Sequence, residues 1–243
     1  MMNLHGLRWL FHVSTLIAVV GMSACAIVGA LPLGGDSWNE EVLLHDGSKL
    51  VITRSQTYGG RHEAGQPPPI KEHTVSFTLP GSGDRITWTS EYGEELGRTN
   101  FHLLAVYVLN RTPYLVTEPN LCLSYNKWGR PNPPYVFFKY DGAAWQRIPL
   151  EEFPAELNSM NVALSTIGRE GANLLKQGFV SSEKIKELNR RTVNPDHKTI
   201  LREPVKQGVE GSAVNCEEMI HYKCGWISPQ GTFGKDFMDQ TCK

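Results

Sequence analysis

The chain carries no surplus of positive charge. Its 24 Lys and Arg stand against 25 Asp and Glu, and Arg190-Arg191 is their only adjacent basic pair. Binding nucleic acid requires basic clusters that neutralise phosphates, so nucleic acid is not an expected partner. The motifs that cradle nucleotides or build hydrolytic sites are missing as well: no Walker or G-x-G-x-x-G segment, no G-x-S-x-G, no H-E-x-x-H and no C-x-x-C. The sequence therefore assigns no catalytic residue, no metal ligand set and no cofactor.

Long apolar runs are scarce too, with one exception. From Trp9 to Gly35 the chain has no formally charged residue, and only His12, Ser14, Thr15 and Ser23 interrupt the apolar character before Pro32. About 20 apolar residues suffice to cross a bilayer as a helix, so residues 9–33 are expected to meet a membrane. Three outcomes stay open, ranked as follows. The segment is retained as a transmembrane helix, because its apolar core outlasts the roughly 7–15 residues of an ordinary signal. Alternatively it is a lipoprotein signal: Met22-Ser23-Ala24-Cys25 resembles the bacterial lipobox, departing from it at Met22 where Leu is preferred, and Cys25 would be the lipidated residue. Third, it is a cleaved secretory signal with its exit at Ala24-Cys25-Ala26. Arg8 precedes the run while Asp36, Glu40 and Glu41 follow it, so the positive-inside rule places the bulk of the chain in the periplasm under all three. Under the first two outcomes the protein is tethered to the inner or the outer membrane.

That address bears on the cysteines. Besides Cys25 there are four, Cys122, Cys216, Cys224 and Cys242. An even set in an oxidising compartment implies two disulfides, with three possible pairings. Chain entropy rewards long loops: Cys216–Cys242 would contribute about 3.5 kcal/mol and Cys216–Cys224 about 2.5 kcal/mol. We expect one bridge from Cys122 to the tail and one within the tail. A zinc site from Cys216, His221, Cys224 and Cys242 has workable ligands, but oxidation competes with it.

The remaining residues divide into a β-rich domain (36–150), a short-helix extension (151–204) and a Cys-rich tail (205–243), after an anchor at 1–35. Asp46-Gly47 and Asp141-Gly142 each sit between strand-forming runs, a hairpin signature. Val75, Phe77, Leu79 and Ile86, Trp88 alternate around a Pro-Gly turn. Residues 55–73 read as a polar loop, and residues 102–109 as a central strand buried on both faces. About eight strands predict an antiparallel β-sandwich or a small barrel. Residues 158–176 have near-helical apolar spacing weakened by Gly168 and Gly171. A helix is expected from Ser182, as N-cap, to Arg191, stopped by Asn194-Pro195.

Two functions follow. The first is a non-enzymatic binding or structural module for a protein, glycan or other envelope component, using the aromatic, Pro-rich surface of Tyr125, Trp128 and Tyr135. In the competing reading Trp128 folds back over the sheet edge beside Cys122. The second is an envelope hydrolase whose site gathers His45, His62 and His73 with Glu63 from separate loops.

Overall fold

A computed structural model describes residues 35–164 and 168–242. The anchor segment and Cys25 lie outside the described residues, and no described helix is long and apolar enough to cross a membrane.

The fold is mainly β. Strands β1 (Gly35–Leu43), β2 (Lys49–Tyr58), β3 (Ile70–Thr78) and β4 (Arg85–Ser90) form successive antiparallel neighbours. Each follows from its period of two. On β1, Trp38, Glu40 and Val42 turn inward; on β2, Leu50, Ile52, Arg54 and Gln56 do. The Asp46-Gly47 turn forms as expected, with Gly47 at φ +83° and Asp46 accepting from the Ser48 backbone N–H. The expected 55–73 loop is shorter than its polarity implied: β2 continues to Tyr58 and β3 begins at Ile70, because Arg54 and His73 bond each other inside the fold and Gln56 Nε2 donates to the Tyr58 hydroxyl.

After the two-residue strands β5 (Tyr92–Gly93) and β6 (Arg98–Thr99), a second sheet forms from β7 (Phe101–Leu109), β8 (Thr112–Pro119), β9 (Val136–Tyr140) and β10 (Trp145–Ile148), ordered β10-β9-β8-β7. The two large sheets share one apolar core, in which Trp88 of the first meets Phe101 and Phe138 of the second at centroid distances of 6.4 and 5.8 Å. Neither sheet closes on itself, so the fold is not a barrel.

The β7 strand corrects one expectation. It is buried on both faces, as its apolar run requires, but it is the edge of its sheet rather than its centre. A strap of residues 149–164 covers it, placing Phe153, Leu157, Met160 and Val162 against the sheet. The exposed ladder is met by one side chain. Asn161 accepts from the Val106 backbone N–H at 2.9 Å and donates to the Val106 carbonyl at 2.8 Å, as a neighbouring strand would. Its Nδ2 also reaches the Leu43 carbonyl of the first sheet at 3.1 Å. Asn161→Asp removes the donor and sets a carboxylate against two carbonyls; a loss of about 2–4 kcal/mol is expected in urea unfolding.

Four α-helices occur among the described residues: α1 (Leu121–Lys127), α2 (Gly168–Gln177), α3 (Ser182–Arg190) and α4 (Thr232–Thr241). Between α2 and α3 lies β11 (Phe179–Val180), which pairs in parallel with β1 and makes the first sheet five-stranded. Leu174, Val180 and Ile185 form a second small core on Trp38. The near-helical spacing predicted from 158 materialises only from Gly168, because residues 158–164 are held as the strap. Helix α3 starts one residue earlier than expected: its N-cap is Ser181, which accepts from the Lys184 N–H, while the Ser182 hydroxyl donates to Glu41.

Both disulfides form as expected. Cys122–Cys216 joins α1 to the tail across 94 residues, and Cys224–Cys242 closes 18 residues within it. The tail carries strands β12 (Ile220–Tyr222) and β13 (Gly225–Ile227) and the helix α4. Asn126 and Arg130 fasten its start: Asn126 Nδ2 donates to the Glu217 carbonyl at 2.9 Å and Arg130 to the Cys216 carbonyl at 2.7 Å.

Candidate functional site

A cavity of about 780 Å³ opens where the β1–β2 turn, the strap and α3 converge. Its size falls within the range of ligand clefts. The turn contributes Leu43, Leu44 and His45; the strap contributes Glu156 and residues 158–161; α3 contributes Ser182, Ile185, Lys186, Asn189 and Arg190. Asn189 sets the distance between helix and strap, donating to the Val162 carbonyl at 2.8 Å and accepting from the Leu164 N–H at 3.3 Å. Tyr107 fixes the floor through its hydroxyl, which donates to the Ser159 carbonyl at 2.5 Å. Beyond α3, His197 and Lys198 close the far wall.

Charge is distributed unevenly around this cleft. Glu183 at its rim is held by Lys49 at 3.1 Å, and its carboxyl is pulled down to about 2, first by a backbone N–H at the helix start and then by Lys49. Lys186 and Arg190, one turn apart on α3, have no side-chain partner among the described residues. Lys198 touches only the Thr192 and Arg190 carbonyls.

Behind the cleft the two sheets enclose a row of titratable side chains. Glu40, wholly buried, accepts from Arg54 Nη1 and from Trp38 Nε1, at 2.8 and 2.7 Å. Its other oxygen accepts from the Ala163 N–H at 3.0 Å, and Arg54 Nη1 also donates to the Ala163 carbonyl at 2.8 Å. Arg54 Nε donates to His73 Nε2 at 3.1 Å, so that nitrogen is unprotonated. On the facing sheet His102 Nε2 bonds Asn120 Oδ1 at 2.9 Å. Since the Asn120 amide nitrogen is committed to the Thr99 carbonyl, His102 is the donor. A small cavity of about 20 Å³, large enough for one water, lies between Arg54, Gln56, His73, Thr99 and His102. The row ends at Glu118, whose carboxylate lies 2.7 Å from His197 on the cleft wall.

These histidines titrate in opposite directions. Burial, then the Arg54 charge, holds His73 well below the usual histidine range; burial also lowers His102. His197 is lowered by its burial, but the hydrogen bond and charge of Glu118 outweigh that and raise it. A raised pKa contributes stability that is present below 6.5 and lost as pH rises through the folded value; a lowered pKa contributes stability present above 6.5 and lost on acidification. Histidine-linked stability therefore peaks near pH 6.5. Unfolding free energies measured across pH 5–8 are expected to fall on both sides, with His197→Gln flattening the alkaline limb alone.

No known family, curated relative or solved structure matches this chain. The site is therefore read from geometry alone.

Of the residues the sequence singled out, Tyr125 and Tyr135 are each 2 % exposed. Tyr135 donates its hydroxyl to the Asp196 carbonyl at 2.6 Å, and Tyr125 lies beneath the Arg130 guanidinium at 5.1 Å. Trp128 packs on Phe101 at 4.5 Å with Arg147 over its ring. These rings fasten the region around Cys122 and leave little face for a partner. Nor does the structure gather the proposed hydrolytic set. His73 aligns through Gln56 with Asp36, whereas His45 lies beyond Leu43. At about 3.3 Å per residue, that separates them by roughly 20 Å or more. His62 is exposed and bonds the Gly60 carbonyl, and Glu63 accepts from Gln66. His221 contacts Glu95 at 3.0 Å, while the neighbouring cysteines are in disulfides.

The sequence reading missed the cleft and the buried row. The row had a signal: the period of two through Trp38-x-Glu40-x-Val42 and Ile52-x-Arg54-x-Gln56 puts charges on the apolar face of each strand. The cleft had none, since it depends on where the strap crosses.

Proposed function

We propose that the protein is a membrane-tethered envelope protein whose β-rich part is a non-enzymatic binding module, with two sheets packed as a sandwich. The observation that carries this reading is the cleft between α3, the strap and the β1–β2 turn. Its walls are braced by Asn189 and Tyr107 rather than left to loops. The titratable groups nearby are mostly engaged with one another behind the wall, which favours binding over turnover. The apolar segment at 9–33 supports the tether, and the paired cysteines suit an oxidising compartment such as the periplasm.

The test is a photo-crosslinking amino acid at Asn158, on the cleft, and at Asp84, in the β3–β4 turn, in the full chain in cells. An adduct of defined mass at 158 and not at 84 is the expected result. Identical adducts at both positions, or none at 158, would refute the cleft as the binding site.

A further inference from the structure

The unpaired cations of α3 gather on the cleft. This helix and its end carry Lys184, Lys186, Arg190 and Arg191. Lys184 and Arg191 both pair with Glu187, away from the cavity. Lys186 and Arg190, which line it, pair with no carboxylate, and like charges at i and i+4 cost the helix a few tenths of a kcal/mol. At the C-terminal end of the helix Lys198 adds a third cation, whose partners are the neutral Arg190 and Thr192 carbonyls. Against these three stands Glu156, since Glu183 is already held by Lys49. The turn and strap offer apolar surface among polar residues: Leu43 is 42 % exposed, beside the edges of Leu44 and Met160, with His45, Asn158 and Ser159 nearby.

We propose that the cleft binds an anionic amphiphile, its carboxylate or phosphate head between Lys186, Arg190 and Lys198 and its apolar body against Leu43, Leu44 and Met160. This deepens the binding reading above and depends on it. A head group held by exposed guanidinium and ammonium groups is bound in a charge-dependent way, and a body laid on Leu43 removes apolar area from water. Neither half alone accounts for both walls.

The test footprints lysines in the full chain, held in phosphatidylcholine nanodiscs, by acetylation and mass spectrometry. With octanoate at about ten times its Kd, acetylation of Lys186 and Lys198 is expected to slow about tenfold, because protection follows 1 + [L]/Kd. Lys139, distant on β9, is expected to keep its rate. Arg190→Glu is expected to abolish the protection while lowering the thermal midpoint by no more than a few degrees, the cost of an acidic residue in the last turn of a helix, since Arg190 is exposed and makes no side-chain hydrogen bond among the described residues. Protection by inorganic phosphate equal to that by octanoate would overturn the amphiphile; equal protection by octyltrimethylammonium would overturn the anionic head. An adduct at Asn158 without octanoate protection overturns this inference alone and leaves the binding cleft standing. No adduct at Asn158 removes the reading beneath it.

Discussion

Glu40→Gln is expected to destabilise the protein by about 3–5 kcal/mol, the usual cost of breaking a buried ion pair from one side. The reason is the company Arg54 would be left with. Arg54 is 4 % exposed, and without the carboxylate its charge is left with neutral partners: the Ala163 carbonyl, the His73 imidazole and the Trp38 ring. An amide can keep its oxygen toward Trp38 Nε1 and Arg54 only by turning its NH2 group onto the Ala163 N–H, which sets two donors against each other. For a domain of this size each kcal/mol moves the midpoint by about 2–4 °C, so a fall near 10 °C is anticipated. Replacing both residues, Glu40→Leu with Arg54→Met, is expected to restore much of the loss, since no charge then remains buried. Thermal unfolding followed by tryptophan fluorescence decides the matter. A single-variant loss below about 1 kcal/mol would mean that water reaches the pair.

The second large effect belongs to Cys122–Cys216. Its loop of 94 residues encloses β9, β10, the strap, α2 and α3. In the chain-entropy account such a loop contributes about 4–5 kcal/mol, and loss of a native bridge costs about 2–5 kcal/mol. The Cys122→Ser, Cys216→Ser pair is therefore expected to lower global stability by several kcal/mol in urea unfolding. Cys224–Cys242 closes only 18 residues, and α4 has no buried residue. Its removal is expected to free the tail to hydrogen exchange while the midpoint of the β-rich part stays nearly constant. If the two double variants lose equal global stability, the tail is integral to the core and this division is wrong.

Much of the architecture could be read from local chemistry. The Asp-Gly turns at 46–47 and 141–142, the alternation on β3 and β4, and the even cysteine count all act over a few residues or follow simple arithmetic. What escaped notice was decided at long range. The edge position of β7 depends on Asn161, 55 residues away in sequence, which supplies the hydrogen bonds of an absent neighbour. The parallel pairing of β11 with β1 joins residues about 140 positions apart and has no periodic signature in two residues. Tyr125 and Tyr135 look like surface recognition residues because Pro and charged residues surround them. They are buried because the tail and the 3₁₀ turn at Pro195–His197 come to rest on them.

The proposed binding site is the cleft with its cationic α3 wall. Native mass spectrometry of the full chain released from its own membranes under non-denaturing conditions tests it most directly. A noncovalently bound anionic species is predicted on the wild-type chain and not on the Lys186→Glu, Arg190→Glu variant. Equal loading of the two chains, or two bare chains, would contradict it.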